Sequence, residues 1–427
     1  MKFRRLAPLC AAAIGLGGVV ADGAIPPASA GTTLTVWLMT GEISPNVYNA
    51  VNKAFEAQHP GVTVNVEIQQ WSGITTKIDT ALASSTPPDA LELGNTDVPE
   101  YAASGALADV TSLEKSINPS GDWLAGLQAP AEVQGHVYAV PLLAGDRVVI
   151  YNQQMYAHAG ITSAPTSVSE LLGDGAKLNK VFGHRSNFSA LYFPGQYWYA
   201  ALPMIWDHGG TIATYSNGKW AGALDSTASL AGLAEFKQVQ NTLSAAPSRT
   251  VNTNLPDQDA VLASGKTAAI VGGSWEVGVI EADNKGLTGH LGEFVFPSYK
   301  GGAAPDFLGG SDIAIAKNSP NVSLAEDWVK LMTNRTFQAL MYRKDLLIPN
   351  VKSLVPIGKN NPVMATFLQA AANSQGTPAS PGWAIIEGDN SMVNLFQAVA
   401  TAKSATQLPS IAKQYDAHLD QVLNQTP

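Results

Sequence analysis

The sequence predicts an α/β protein of two domains, each a mostly parallel sheet with helices on its faces. Three observations carry this. The chain has 427 residues, more than one ordinary core holds. Its first hundred residues alternate strand and helix patterns in the order β-α-β-α-β. Further strand patterns cluster in a second region, and no low-complexity tether separates the two.

The elements follow in order. Thr35 to Met39 form a short apolar run that reads as a buried strand, ending on Thr40, Gly41 and Glu42. Ser44-Pro45 opens a helix with Val47, Val51 and Phe55 on one face, and Pro60-Gly61 stops it. Val62, Val64, Val66 and Ile68 alternate as a strand. Trp71 falls in the next loop, Ile74, Ile78 and Leu82 mark a second helix, and "DALELG" is a third strand before a short helix from Val98. The second region starts after "YAVPLLAGDRVVIYN". "YWYAALPMIWDHGG" is an aromatic-rich helix closed by Gly209-Gly210. Helices are predicted over 224–242 and 257–264, and Thr267 to Val271 is a strand before Gly272-Gly273-Ser274-Trp275-Glu276. "HLGEFVF" and "FLGGSDIAIA" are strands, 322–335 is a helix with Trp328 on its apolar face, and 391–423 is helical.

Composition limits the partners. Charged residues are only 14%, against roughly 25% in an average globular protein. Residues 1–30 read as an export signal: Lys2, Arg4 and Arg5, then the apolar run Leu6 to Val20, then Ala28-Ser29-Ala30 as a cleavage site before Gly31. Asp22 leaves with those three basic residues, so the net charge moves from −9 to −11. No Lys/Arg cluster interrupts this balance, which argues against nucleic acid and anionic membranes as partners. The sole cysteine, Cys10, lies inside the apolar run after Leu9, the wrong context for a lipid anchor. No later stretch reaches the roughly 20 apolar residues of a membrane span.

Several motifs fail on inspection. "SGKT" at 264–267 has Ala260 where a phosphate loop needs glycine, and it joins a helix to a strand rather than the reverse. The seven histidines are scattered without the spacing of a metal site. No G-x-S-x-G elbow is present. These readings leave no catalytic residue, metal or cofactor.

The positive signal lies at strand ends and in tryptophans. In open α/β sheets ligands bind beyond the carboxyl ends of the strands. Thr40-Gly41-Glu42 sits at one such end, and Asn95, Thr96 and Asp97 at another. Helix capping by Ser44 and Asp97 is the plain alternative. A saccharide site needs rings for the sugar's apolar C–H faces, interleaved with carboxylates, amides and arginine for its hydroxyls. Of the nine tryptophans, Trp71, Trp275 beside Glu276, and Trp383 ahead of Glu387 fit that pattern. Trp37 and Trp328 read as core, Trp123 and Trp220 as peripheral packing, and Trp198 and Trp206 stay open between core and ligand.

In this order, "LTVWLMTG", "FEAQHPGVTVNVE", "TPPDALELGN", "ASGALADVT", "YAVPLLAGDRVVIYN", "LASGKTAAIVGGSW" and "FLGGSDIAIAKNS" resemble the extracellular solute-binding proteins of carbohydrate importers of the ATP-binding-cassette type, family 1. "TVWLMTGE" with "QQW" and "ELGNT" is similar to the actinobacterial members that take up oligosaccharides such as chitobiose. The resemblance implies a two-lobed, hinged clamp of the periplasmic-binding-protein type, with residues 31–143 and 303–346 in one lobe and 144–302 and 347–427 in the other. Crossings are expected near Pro141 to Gly145, Pro297 to Pro305 and Asp345 to Val351. A mono- or oligosaccharide would sit between the lobes of a monomer, to be delivered to a membrane permease. The expected ligand residues are Thr40, Gly41, Glu42, Trp71, Asn95, Thr96, Asp97, Asp146, Arg147, Trp198, Trp206, Gly273, Trp275, Glu276, Gly310, Ser311, Arg343, Trp383 and Glu387. A secreted glycoside-acting enzyme is the alternative, with Glu276 and Glu387 as its two carboxylates. A binder of charged solutes would instead rely on Arg147 and Arg343.

Overall fold

The computed structural model describes residues 31–70, 74–358 and 360–425. The export signal, Cys10 and Trp71 lie outside them.

The first part of the chain builds four strands of a five-stranded sheet. Strand β1 (Thr32–Met39) pairs in parallel with β2 (Val62–Gln69) and with β3 (Ala90–Gly94). The helix between β1 and β2, Pro45–Gln58, begins on proline, whose missing N–H costs nothing at a helix start. It buries Val47, Val51 and Phe55 against the sheet. A small hairpin of β4 (Glu132–Val133) and β5 (His136–Val137) leads into β6 (Ala139–Gly145). Trp123 and Trp328 are fully buried in this core, and the Trp328 indole donates to Asn52 Oδ1 at 2.9 Å. Trp123 is thus core rather than peripheral.

Beyond Gly145 the chain enters a second region. Strand β7 (Val148–Asn152) lies at the centre of a three-stranded sheet, and β8 (Ala213–Ser216) with β9 (Lys219–Gly222) forms an outlying hairpin. Strands β10 (Ala269–Gly272) and β11 (Leu291–Phe294) flank β7, both antiparallel to it. The chain then returns through β12 (Asp306–Phe307) into β13 (Gly309–Ile315), which completes the first sheet in the order β2-β1-β3-β13-β6. Strand β14 (Ser374–Gln375) pairs in parallel with β12.

The expectation of mostly parallel sheets needs two corrections. In the first sheet β13 runs antiparallel to both β3 and β6. In the second, both named ladders are antiparallel. In the first sheet the cause is the chain's return. Strand β13 comes back from the other region and so enters the first sheet without the helical crossover that parallel pairing requires, whereas the antiparallel order of the second sheet arises within its own region.

The helices Trp198–Asp207, Thr227–Leu243, Trp383–Gly388, Ser391–Thr401 and Leu408–Val422 pack together over the second sheet in an aromatic-rich core. The predicted helix over 322–335 is in fact Val322–Met332, followed by a separate helix Arg335–Asp345 that also packs on the first core. Among the described residues, no helix is long and apolar enough to cross a membrane.

Candidate functional site

The end of β1 turns inward. The Thr40 amide still bonds to Gln69, but Gly41 takes φ +84°, a left-handed conformation that suits glycine. The turn brings Glu42 back under the ends of β3 and β13, where its Oε2 accepts the Ser311 hydroxyl at 3.2 Å. Glu92, fully buried on β3, lies beside it and accepts the Met39 amide at 2.7 Å. Burial raises the pKa of Glu42, and raises that of Glu92 well above the carboxylate range with the help of Glu42's charge.

At the end of β3, Asn95 donates to the carbonyl of Gly126 at 3.3 Å, and Thr96 donates its hydroxyl to Glu387 at 2.8 Å. Glu387 belongs to the Trp383–Gly388 helix of the second core, so this bond joins the two regions. Burial and the nearby Asp97 charge push Glu387 up to about 8, and burial with Glu100 and Asp79 pushes Asp97 up to about 7.

The facing wall is aromatic and cationic. Arg147 follows β6, with its guanidinium carbon 5.0 Å from the ring centre of Tyr199, 5.6 Å from Phe307 and 5.9 Å from Trp275. Its Nε donates to the Tyr197 hydroxyl at 3.2 Å, and its amide donates to Asp306 at 3.0 Å. Trp275 stands in the first turn of the Ser274–Asp283 helix and stays 49% exposed. Its ring folds back over two glycines: a β-carbon would lie 2.3 Å from it on Gly273 and 3.1 Å on Gly145. Gly310 makes the floor possible, since at φ +139° a β-carbon there would meet the Leu143 carbonyl at 2.2 Å.

Between these walls lies a cavity of about 460 Å³, a size that suits a small ligand. Of the expected residues, Thr40, Gly41, Glu42, Asn95, Thr96, Arg147, Trp275, Gly310 and Ser311 line it together. Gly273 lies directly beneath the Trp275 ring.

The others are placed differently. Trp198, Trp206 and Trp383 are core residues, 5%, 6% and 0% exposed. The Trp198–Asp207 helix is buried on nearly every side, from Trp198 and Ala200 through Trp206, so both its indoles pack inside the core. Trp383 packs edge-on against Trp198. Glu276 points away from the cavity and accepts the Gln258 amide at 2.8 and 3.0 Å; burial, then Asp259's charge, raises its pKa well above normal. Asp146 is buried beside Asp306 behind the wall. Arg343 is exposed on the Arg335–Asp345 helix. Asp97 and Glu387 adjoin Thr96 without lining the cavity. Neither Ser44 nor Asp97 caps its helix with a side-chain hydrogen bond.

Sequence reasoning missed Tyr199, Phe307, Gly145 and Leu347, which also line the cavity. Tyr199 had no positional signal, because the helix around it is apolar and buried on nearly every side. Phe307 and Leu347 had none: Phe307 lies on the two-residue strand β12 and Leu347 just beyond the Arg335–Asp345 helix, and only the chain's return between the regions brings them to the cavity.

Residues 41–339 match the family described as bacterial extracellular solute-binding protein. The chain belongs to this family. It is 34% identical over 403 residues, 93% of this chain and 91% of the relative, to the diacetylchitobiose binding protein DasA of Streptomyces coelicolor. Solved structures with the same fold include the sugar-binding protein MalE of Xanthomonas citri, with TM-score 0.80 and 21% identity over 92% of this chain and 97% of that one. Another is the GacH receptor of Streptomyces glaucescens, solved unliganded and with acarbose, with TM-score 0.75 and 22% identity over 93% of this chain and all of that one. The clamp fold expected from the sequence is therefore the fold of this solute-binding protein.

Proposed function

We propose that this solute-binding protein captures a neutral oligosaccharide between its two walls and delivers it to the permease of an ATP-binding-cassette importer outside the cell membrane. The observation that carries the reading is the pairing of walls. A half-exposed indole beside a ring-stacked arginine faces a carboxylate, an amide and three hydroxyls across one cavity. Rings cover the apolar faces of a pyranose, and the opposite wall accepts and donates to its hydroxyls. Because the DasA relative is named for diacetylchitobiose, an N-acetylated β-linked disaccharide is the first ligand to test.

The enzyme alternative loses its support in the geometry. It needs two carboxylates flanking one sugar bond. Among the described residues, Glu42 is the one carboxylate lining the cavity, and Glu276 is turned into the interior on Gln258. The charged-solute alternative keeps only Arg147, whose guanidinium is already engaged by Tyr197 and three rings.

The lobe boundaries and the closing motion belong to the same proposal. Residues 31–143 with 303–346 would form one jaw, the remainder the other, and a ligand touching both jaws shifts the population toward closure. A thermal-shift screen of mono- and oligosaccharides, followed by calorimetry and a check for cleavage products, tests the function. Tight binding without cleavage is the expected result. Cleavage, or binding of charged solutes alone, overturns it.

A further inference from the structure

Two carboxyl groups meet at the end of β1 with no cation between them. Glu92 is 1% exposed, and its Oε2 accepts the Met39 amide at 2.7 Å. Its Oε1 is buried, and among the described residues no N–H or O–H donates to it in good geometry; the Ser311 hydroxyl lies close to both carboxyl groups. The carboxyl group of Glu42 lies within hydrogen-bond reach of Glu92, and Glu42 also accepts the Ser311 hydroxyl at 3.2 Å. Two carboxyl groups bond to each other only when one carries a proton, since an ionised carboxylate is an acceptor alone. We propose that Glu92 is a positioning residue for ligand capture: it carries a proton on its bond to Glu42 and so keeps Glu42 an anion aimed into the cavity. This rests on the reading of the cavity as an oligosaccharide site.

The proton belongs on Glu92 for reasons of place. Glu92 is sealed within β3 between β1 and β13, whereas Glu42 borders the cavity and receives a hydroxyl. Burial raises both groups and raises Glu92 further. The charged and titratable groups around the pair do not change the assignment. On β13, Asp312 pairs with Leu93, one residue along from Glu92, and so points to the other face of the sheet. Asp345, at the end of the Arg335–Asp345 helix, accepts the Ser44 amide. Arg147 lies across the cavity among its rings. What results is a carboxylate held by a donor on each side, Glu92 and Ser311, with its remaining lone pairs free for sugar hydroxyls. Charge-assisted bonds of that kind are the strong ones.

The test compares wild type, Glu92→Gln and Glu92→Met, with N,N′-diacetylchitobiose as the probe and calorimetry from about pH 5 to 9. Glutamine keeps an acceptor for Met39 and an N–H donor for Glu42, and it cannot ionise. Glu92→Gln should therefore bind within about threefold of wild type near pH 6. Glu92→Met, which removes the donor, should bind at least tenfold more weakly. Equal binding by the methionine variant, or a loss of more than tenfold in the glutamine variant, overturns the proposal. Carboxyl-carbon NMR of the sugar-free protein gives a readout independent of the probe. The Glu92 signal should stay that of a protonated acid at neutral pH, and its midpoint should fall in Glu42→Gln. An ionised Glu92 at neutral pH overturns the proposal even if sugar binds. If wild type binds no sugar, the functional reading fails, and the NMR result alone decides where the proton sits.

Discussion

The two walls of the cavity are built from different materials. The wall formed by the ends of β1, β3 and β13 is polar and over-determined: Glu42 is fixed by Ser311 and Glu92, Asn95 by two backbone carbonyls, and Thr96 by Glu387. The facing wall is ring surface: Trp275, Tyr199 and Phe307 around Arg147. Hydrogen-bonding groups pinned by buried partners select a ligand by the position of its hydroxyls. Rings stabilise it by covered area and tolerate a shift of register. On the proposed function, one wall would set specificity and the other would contribute much of the affinity.

The substitution with the largest expected effect breaks both walls at once. Gly310→Ala puts a β-carbon against the Leu143 carbonyl at a backbone angle that disfavours it. It should cost about 3 kcal/mol of stability, read as a lower denaturant midpoint. Glu42→Ala attacks only the polar wall. It should weaken sugar binding by about 2 kcal/mol, the range of a hydrogen bond to a charged group, and should flatten discrimination between epimeric sugars in calorimetry. Trp275→Ala attacks only the ring wall. It should cost at least tenfold in affinity, about 1.4 kcal/mol, with unchanged melting temperature because the ring is half exposed. Unchanged affinity would make Trp275 a packing residue over Gly145 and Gly273.

The smallest effect concerns the contact between the two regions. Asp97 and Glu387 are raised to about 7 and about 8, chiefly by burial. Groups raised above their ordinary value of roughly 4 stabilise the arrangement that buries them at low pH. That contribution fades as pH rises through about 7 and about 8. The melting temperature should therefore fall as pH rises from about 4 to about 8, and Glu387→Gln should remove part of that fall. A profile identical in Glu387→Gln would place the titration elsewhere.

The polar wall was largely legible in the sequence and the ring wall was not, for physical reasons. Thr40 to Glu42 and Asn95 follow short apolar strands, and the carboxyl ends of such strands collect on one edge whatever the rest of the chain does. A tryptophan carries no such rule. Trp383 and Trp275 have similar polar neighbours in sequence, yet one is sealed in a helical core and the other stands over two glycines. Only the packing of the Trp383–Gly388 helix against its neighbours decides which is which. Glu276 was misplaced through a local detail. The helix begins at Ser274, so adjacent side chains diverge by about 100°, and Trp275 faces out while Glu276 faces in. The reversed strand β13 likewise follows from a long-range return of the chain that no local pattern encodes.

The proposed capture closes the two walls around the ligand, and small-angle scattering reads that most directly. Measured with and without a saturating amount of the tightest-binding oligosaccharide from the screen, the radius of gyration should decrease on binding, and decrease less in Glu42→Ala at equal occupancy. An unchanged radius at saturation would contradict closure and leave the cavity a static binding groove.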